Sequence, residues 1–427
     1  MPSGVKSKVR VPPSNPAGRR DQCRDAFPRI RGLTDRLAEP LTAEDMLVQP
    51  MTDASPTKWH LAHTTWFFET FVLAPRKPGY RDFDPHFRFL FNSYYNAVGA
   101  RPNRDRRGSF SRPGLDAVRA YRRYVDEQVQ ELLAGEPVPE ALSIVELGLH
   151  HEQQHQELIV TDIKCVFGTN PLRPAYRERA AEPVATAPPQ RWLGFEGGIH
   201  AVGYAGSGFC FDNELERHEV LLRPFRLASR PVTNAEYVEF MADGGYSRPE
   251  LWFAEGWDTI RAQGWEAPLY WERRDGGWHT LTLAGTRGVE PSEPVCHVSF
   301  FEADAYARWA GARLPTEFEW EAAAAGEAVE GNFLESERFH PAPATTSRPL
   351  AQLFGDIWEW TASPYVAYPG FRPASGALGE YNGKFMSSQM VLRGGSCATP
   401  RSHIRASYRN FFPPSARWQF SGIRLAQ

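Results

Sequence analysis

Residue composition changes abruptly near the middle of the chain, and this change limits the possible folds to those with two unlike domains. Residues 25–174 carry helical periodicity and helix-start signals such as Pro139, which predict a helical domain. In residues 191–427, glycine, proline and tryptophan are frequent, and short β-like runs alternate with turn signals. The segment 175–190 is rich in proline and alanine, as linkers often are.

The first domain is predicted to be a four-helix bundle and the second a loop-rich domain with small sheets, which makes the fold class α+β. The helices predicted for the bundle are 26–36, 57–73, 115–133 and 140–167. Residues 75–112 form a long polar loop inside this domain, and loops of this kind are often functional. Residues 1–24 are basic and rich in proline and lack the apolar core of a secretory signal, so a flexible tail is predicted.

Charge, hydropathy and cysteine content argue against several classes of function. The chain has 48 basic and 51 acidic residues, a balance that argues against a nucleic-acid partner or a polybasic membrane surface. It contains no apolar run of about 18 residues, so no transmembrane helix is expected. Its 5 cysteines are scattered without C-x-x-C spacing, which fits a cytoplasmic protein without a disulfide framework.

The motif HHEQQH at 150–155 lies on the last helix of the predicted bundle. His151 and His155 are four residues apart, so they share one helix face and can bind one metal ion. His150 points about 100° away from His151 and is the poorer ligand. The motif also matches the H-E-x-x-H signature of metalloproteases, with Glu152 as general base. A protease is disfavoured, because the downstream metzincin extension with its third histidine is absent.

A second histidine pair, His60 and His63, lies between Trp59 and Trp66 on another predicted helix. The flanking tryptophans indicate a buried helix face. Metal sites in helix bundles are built from side chains on facing helices, so one histidine of this pair would complete a three-histidine set. Three neutral imidazoles leave coordination positions open for a substrate and for dioxygen or water. The sequence therefore predicts a metal site.

Two further groups of residues have both a functional and a packing interpretation. Tyr94 and Tyr95 in the long loop could donate a proton or hold a substrate ring, or they could pack in a core. Trp418 and Phe420 near the C-terminus could enclose a quaternary ammonium group, or they too could be core residues. Four arginines follow the tyrosine pair and either bind carboxylates or form a solvated basic loop. They are Arg101, Arg104, Arg106 and Arg107.

The second domain resembles the formylglycine-generating-enzyme-like (sulfatase-modifying-factor) domain, which has a C-type-lectin-like fold. The matching segments include PVTNAEY at 231–237, ARLPTEFEWE at 312–321 and GDIWEWT at 355–361. The first domain resembles a DinB-like four-helix bundle with its H-x₃-H helix. Together the two domains resemble the ergothioneine-biosynthesis sulfoxide synthases. Formylglycine-generating activity itself is not expected, because that chemistry needs a cysteine pair near the C-terminal motif and only Cys397 is present there.

The resemblance implies a mononuclear non-haem iron enzyme that requires Fe²⁺ and dioxygen. Such an enzyme joins the sulfur of cysteine or γ-glutamylcysteine to C2 of the imidazole of hercynine (N-α-trimethylhistidine) and gives a sulfoxide. The iron ligands implied by the resemblance are His63, His151 and His155. Gln154 would bond the substrate imidazole.

The resemblance also implies the remaining substrate contacts. Residues near the C-terminus would contact hercynine, with Trp418 and Phe420 at its trimethylammonium end and Arg417 as a polar contact. Gln419 stands where members that use γ-glutamylcysteine carry an acidic residue, which favours free cysteine as the sulfur donor.

The long loop of the first domain would supply the groups that act on the sulfur donor. Arg101 and Arg104 are candidates for its carboxylate. Tyr94 and Tyr95 resemble the branch of the family in which loop tyrosines are the proton source.

Three related reactions and one unrelated function stay open at the level of sequence. Relatives use γ-glutamylcysteine, or histidine in the ovothiol route, or a selenosugar in the selenoneine route. The ovothiol branch usually carries an appended methyltransferase domain, for which no residues remain here. The unrelated function is that of a non-catalytic protein that binds a metal or a thiol.

Overall fold

Two structural units divide the residues that the computed structural model describes, which are 16–179, 185–345, 348–374 and 376–427. The first unit takes the described residues up to Thr169, together with Ala205–Asp212 and Arg372–Lys384. We call these two additions the returning segments. The second unit comprises Asn170–Tyr204, Asn213–Phe371 and Phe385–Gln427. The sequence placed the returning segments in the second domain, and it placed the first boundary at residue 174.

Four long helices form the body of the first unit, as predicted. The helices of this unit are α1 (Pro16–Ala38), α2 (Thr57–Phe68), α3 (Ala74–Arg76), α4 (Phe87–Leu90), α5 (Leu115–Ala134) and α6 (Pro139–Thr169). Helix α1 packs on α5 and α6, and α2 packs on the same two helices. At its C-terminal end α2 continues as a π-helical turn, Glu69–Leu73, a feature that is frequent near functional sites.

The N-terminal helix is longer than the sequence suggested. The predicted tail ended at residue 24, whereas α1 begins at Pro16, and residues 1–15 lie outside the described residues. The added turns are held by α6, because Arg19 donates to the Ser143 hydroxyl at 3.2 Å and Cys23 is buried. The proline in the first turn and the helix-forming residues after it favour this extension.

The predicted linker 175–190 contains residues 180–184, which lie outside the described residues. Its first part packs in the second unit. The Tyr176 side chain is buried, and its backbone N–H donates to the Leu283 carbonyl at 2.9 Å. Tyr176 thus anchors this part of the segment to the second unit, while Ala175, Glu178 and Arg179 around it are exposed.

Gly148 allows α6 to approach α2 closely. A Cβ atom at this position would lie 2.6 Å from Cε1 of Phe68 and 3.0 Å from Cε1 of Phe67. Both phenylalanine rings are buried on α2, so they have little room to move. The missing side chain thus brings the histidine-bearing turn of α6 against the histidine-bearing turn of α2.

In the described residues of the second unit, short strands form four small sheets. The strands are β1 (Trp192–Phe195), β2 (Gly198–Val202), β3 (His218–Leu222), β4 (Phe225–Ala228), β5 (Trp271–Arg274), β6 (Gly277–Thr282), β7 (Gly285–Gly288), β8 (Trp358–Pro364), β9 (Met390–Arg393), β10 (Asn410–Phe412) and β11 (Ser421–Gly422). β1 pairs with β4, β2 with β3, and β5, β6 and β7 form a meander. The fourth sheet has the order β10-β9-β8-β11, in which only the β8–β11 pair is parallel.

Three of the four α-helices described in the second unit begin at residues with strong capping signals. The helices are α7 (Asn234–Ala242), α8 (Ala254–Gln263), α9 (Phe300–Trp309) and α10 (Glu317–Ala323). Thr233, Ser299 and Thr316 each form a capping box with the glutamate three residues later. Within the described part of the chain, no helix of either unit has the length and apolar character to span a bilayer.

Buried ion pairs fix α10 and the fourth sheet of this unit. Arg393, at the end of β9, lies 2.9 Å from both Glu317 and Glu321 on α10. Arg424 pairs with Glu359 of β8 at 2.7 Å, and both side chains are fully buried. Because each buried charge has a partner, these groups serve the packing of the unit.

Candidate metal centre

Three buried histidines of the first unit meet at one point between α2 and α6. His63 lies on α2, and His151 and His155 lie on α6. One ring nitrogen from each residue lies within 4.8 Å of the others, and among the described residues this is the one such group of three metal-ligating side chains. The ring centroids are 5.0 Å apart for His63 and His151 and 4.5 Å apart for His151 and His155. The i, i+4 spacing on α6 places His151 and His155 on one face, as the sequence predicted.

The hydrogen bonds of these rings leave nitrogens available for a metal ion. His63 Nδ1–H donates to the Phe91 carbonyl at 2.7 Å, and the buried His63 Nε2 has no partner among the described residues. Neither ring nitrogen of His151 has a partner there. His155 Nδ1 contacts His60, which leaves Nε2 for a ligand. Buried polar atoms are rarely left unpaired, so these nitrogens fit a metal ion well.

The protonation state of the three histidines suits metal binding. Burial lowers the pKa of His151 to about 3. Burial also lowers the pKa of His63 and of His155 well below the ordinary value, and the neighbouring His151 adds to both shifts. All three imidazoles are therefore neutral near pH 7, which is the form that coordinates metals.

Aromatic side chains hold the His63 ring in one orientation. The ring is stacked between Trp59, at 4.4 Å and 12°, and Trp66, at 5.4 Å and 18°. The guanidinium of Arg107 covers the outer face of Trp59, with its carbon 3.5 Å from the ring centroid. The two tryptophans that flank this histidine in the sequence thus form a sandwich that limits its rotation.

Glu152 lies on a different face of α6 from the neighbouring histidine. Its Oε2 accepts from Arg31 at 2.7 Å, and its Oε1 accepts from Arg122 and Thr34, both at 2.7 Å. Burial alone would raise the pKa of Glu152, but the two arginines bring it down to about 2. A carboxylate engaged in this way is a structural anion, so the arrangement does not support a metalloprotease with Glu152 as general base.

A tyrosine that sequence reasoning missed lies beside the histidines. Tyr381 of the second returning segment donates its hydroxyl to Oε1 of Gln154, and its ring lies 5.8 Å from that of His151. The predicted pair is also present, with the hydroxyls of Tyr94 and Tyr95 3.5 Å apart. Burial raises the pKa of Tyr94 to about 12 and raises that of Tyr95 well above its ordinary value, so both stay protonated at neutral pH.

Contacts within the first unit attach the second returning segment to the long loop that carries Tyr94 and Tyr95, and join the two returning segments to each other. The Glu380 carboxylate accepts the backbone N–H groups of Asn96 and Ala97, at 3.0 and 2.8 Å. Phe211 of the first returning segment stacks on Tyr381 with centroids 5.5 Å apart. No local pattern in the sequence indicates these pairings, because they join residues that are far apart along the chain.

The arginines of the long loop differ in burial. Arg101 and Arg104, the two predicted to bind a carboxylate, are exposed, and Arg104 donates to the Asp53 carbonyl at 2.6 Å. Arg107 is 5 % exposed and donates to two serine hydroxyls, and no carboxylate pairs with it among the described residues. Burial lowers the pKa of Arg107 to about 9, which still leaves it a cation at neutral pH.

Arg417, one of the predicted substrate contacts, is paired within the second unit. Its guanidinium donates to Glu302 at 2.8 Å and lies 3.9 Å from the ring centroid of Trp265. Because this charge already has a carboxylate partner, its geometry does not favour the predicted role in binding substrate.

The next three residues are also buried in the second unit. Trp418 packs edge-on against Phe412 with centroids 5.5 Å apart, and its indole N–H has no partner among the described residues. Phe420 is fully buried, with its ring 4.8 Å from that of His297. Gln419 is buried, and its amide makes a long bond, 3.4 Å, to a backbone carbonyl.

Known protein families match both halves of the chain. The sulfatase-modifying factor enzyme 1-like domain matches residues 178–349 and 344–427, and the DinB superfamily matches residues 26–159. These matches confirm the predicted fold class. The fold and the site thus define a class of protein in which a DinB-type helical domain with a three-histidine centre precedes a sulfatase-modifying-factor domain.

Full-length relatives narrow this class to one family. A hercynine oxygenase of Mycobacterium tuberculosis is 32% identical over 424 residues, which is 93% of this chain and 96% of the relative. A hercynine oxygenase of Mycolicibacterium smegmatis is 34% identical over 408 residues, covering 87% and 91% of the two chains. A formylglycine-generating enzyme of Streptomyces coelicolor is 31% identical over 312 residues, which is 58% of this chain and 93% of the relative. The chain belongs to the ergothioneine sulfoxide synthase family.

Proposed function

We propose that this chain is an iron(II)- and dioxygen-dependent sulfoxide synthase that couples cysteine to hercynine. The cysteine sulfur would bond to C2 of the hercynine imidazole, giving hercynylcysteine sulfoxide. In this reaction a C–H and an S–H bond break and a C–S bond forms. One oxygen atom of dioxygen enters the sulfoxide and the other leaves as water, so four electrons pass from the substrates to dioxygen.

The observation that carries this proposal is the buried three-histidine group of a chain that is about one-third identical to hercynine oxygenases over most of its length. His63, His151 and His155 would hold iron(II). When bound there, iron would supply the redox chemistry with dioxygen and a site for the soft cysteine thiolate. Three neutral imidazoles would leave coordination positions of the iron open for the substrates and dioxygen.

Buried tyrosines would supply a proton at this site. Tyr94 and Tyr95 keep their hydroxyl protons at neutral pH, because burial raises the pKa of both. They also lie in the long loop that the family resemblance implies as the proton source. Tyr381 is a third candidate, since its hydroxyl is bonded to Gln154 on the turn between the two α6 histidines. A proton delivered by one of these hydroxyls would favour the sulfoxide over simple oxidation of cysteine to its sulfinate.

Single tyrosine variants test this role. The three variants are Tyr94→Phe, Tyr95→Phe and Tyr381→Phe. We expect the variant that lacks the proton-donating hydroxyl to form sulfoxide about 100-fold more slowly or worse and to give a larger share of cysteine sulfinate. Iron content should stay that of the wild type, because none of these hydroxyls is among the three ligands. A loss of iron that parallels the loss of product in all three variants would contradict the role.

The sulfur donor is proposed to be free cysteine, because Gln419 is not acidic. The family resemblance assigns its carboxylate to Arg101 and Arg104, and it assigns the trimethylammonium end of hercynine to Trp418 and Phe420. The buried cation Arg107 is an additional candidate for an anionic group, since it lacks a carboxylate partner among the described residues.

Product mass tests the whole proposal. The protein is loaded with Fe²⁺ without oxygen, mixed with hercynine and cysteine, exposed to air and analysed by liquid chromatography and mass spectrometry. Hercynylcysteine sulfoxide that is absent with His63→Ala is the expected result. Cysteine sulfinate alone would contradict the assignment of hercynine as acceptor. Product only with γ-glutamylcysteine, histidine or a selenosugar would contradict the assigned substrates. Iron retained without oxygen uptake would indicate a binding protein.

A further inference from the structure

His155 is bonded at its second ring nitrogen to a residue pair that the proposed reaction does not use. His155 Nδ1 lies 2.8 Å from Nδ1 of His60, and His60 Nε2 lies 3.0 Å from Oδ2 of Asp162. His60 and Asp162 are each 2 % exposed and His155 is 8 % exposed. The three side chains form a buried hydrogen-bonded chain that leads from α6 to α2 and back to α6.

The hydrogen bonds of this chain can be assigned a direction. Asp162 Oδ2 also accepts the Ser55 backbone N–H at 2.8 Å, so the main chain holds it as an acceptor. His60 Nε2 therefore carries the proton and donates it to the carboxylate. In a neutral imidazole the other nitrogen is bare, so His60 Nδ1 accepts from His155 Nδ1–H. The lone pair of His155 is consequently on Nε2.

The opposite direction would disable the site. If His60 donated from Nδ1, His155 would accept at Nδ1 and carry its proton on Nε2. A protonated Nε2 has no lone pair for a metal ion, so only two of the three histidines would remain ligands. For a neutral His60, the carboxylate at the end of the chain excludes this arrangement, because it holds the single ring proton on Nε2.

We propose that His60 and Asp162 are positioning residues that fix the tautomer and ring orientation of His155 for metal binding. This inference rests on the proposed function, because it requires a metal ion at the three histidines. Of the three ligands, His63 is oriented by a neutral backbone carbonyl, while His155 is oriented through a chain that ends on a carboxylate. Such outer partners raise the basicity of a ligand and are typically worth about 10- to 100-fold in metal affinity.

Two substitutions of His60 separate this role from simple packing. An asparagine amide reaches the position of His60 Nδ1 and can accept from His155 Nδ1–H. A glutamine amide reaches the position of Nε2, so it keeps a contact with Asp162 but withdraws the acceptor from His155. His403→Gln is a matched control in the second unit, since His403 is also buried and its Nε2 contacts the Tyr408 hydroxyl at 2.9 Å.

The measurement is the affinity of each full-length variant for Fe²⁺ and Co²⁺ without oxygen, by competition with a coloured chelator. We expect His60→Gln to weaken binding by about 10- to 100-fold and to change the visible spectrum of the Co²⁺ form. His60→Asn should bind within a few-fold of the wild type and keep the wild-type spectrum. His403→Gln should leave both readouts unchanged, whatever its effect on thermal stability.

The other outcomes overturn the proposal in distinguishable ways. Wild-type affinity and spectrum in His60→Gln would overturn the positioning role and leave the proposed function intact. Equal losses in His60→Gln and His60→Asn would show that packing, and not the acceptor at Nδ1, is what matters. A wild-type protein that binds neither Fe²⁺ nor Co²⁺ would overturn this inference together with the iron-dependent function.

Discussion

Helix α6 has two buried faces of opposite chemistry within one turn. On the side of the three-histidine group, neither ring nitrogen of His151 has a hydrogen-bond partner among the described residues. The next residue, Glu152, is fully buried too, yet both of its oxygens accept charged hydrogen bonds, from Arg31 and Arg122. Successive residues on a helix point about 100° apart, so one step along the chain separates an unpaired group from a fully engaged one.

The two faces of α6 therefore differ in what they contribute: the face with Glu152 stabilises the fold, and the face with His151 is available to bind a ligand. The buried Glu152 carboxylate on α6 has partners on α1 and α5 and so holds these three helices together, and removing one partner is costly because the others stay buried. A buried imidazole without a partner contributes nothing comparable to the fold and is retained at a cost. A buried imidazole of this kind is explained if a group outside the polypeptide, such as a metal ion, binds its ring nitrogen.

The largest effect on iron binding and product formation is expected when His151, on the face without hydrogen-bond partners, is substituted. His151→Ala removes a proposed metal ligand and no hydrogen bond to another described residue. Iron binding should fall by more than the roughly 100-fold that is typical of residues that only support a ligand, and sulfoxide formation should fall with it. Metal analysis after gel filtration measures the first effect and product mass the second. Full iron content in this variant would contradict the role of His151 in binding iron.

A large loss of folding stability is expected when Glu152, on the face that forms charged hydrogen bonds, is substituted. Glu152→Gln removes the anion that Arg31 and Arg122 share, although each arginine keeps one other carboxylate at 2.7 Å, Asp126 for Arg31 and Asp35 for Arg122. The unfolding free energy of the first unit should therefore fall by about 3 kcal/mol, the lower end of what breaking a buried ion pair costs. Urea unfolding followed by far-ultraviolet circular dichroism measures this. Glu131→Gln is the control, because Glu131 is 69% exposed in its pair with Lys77 and should lose less than about 1 kcal/mol. Equal losses in the two variants would contradict the account.

The engaged face should also make stability depend on acid pH. The folded pKa of Glu152 is about 2, below its ordinary value of 4.5, so the folded state binds fewer protons than the unfolded state between these values. The contribution of Glu152 is present above about pH 4.5 and is lost as the pH falls towards 2. From about pH 5 to about pH 3, the wild type should lose roughly 2 kcal/mol more than Glu152→Gln. Parallel pH profiles from urea unfolding would contradict this.

Local patterns were sufficient to predict the helical half and the placement of two of the three clustered histidines on one helix face. The i, i+4 spacing of His151 and His155 follows from helix geometry alone, and the structure retains it. The choice between His60 and His63 was open from the residues themselves and needed the family resemblance. The structure places His63 in the three-histidine group and His60 behind His155.

Features that depend on distant parts of the chain could not be predicted. Tyr381 reaches Gln154 across 227 positions, and no periodicity in either segment indicates that contact. The support of His155 by Asp162 depends on how α2 and α6 pack, which the sequence does not specify. Among the arginines, Arg107 is distinguished from its exposed neighbours only by burial over Trp59.

X-ray absorption spectroscopy of the Fe²⁺-loaded protein tests most directly whether the three histidines form a metal centre. Imidazole rings give a characteristic outer-shell scattering pattern, so the number of histidine ligands can be counted. We predict one iron per chain with three imidazoles in the wild type and two in any iron retained by His151→Ala. Iron without imidazole scattering, or the same imidazole count in both proteins, would contradict the account.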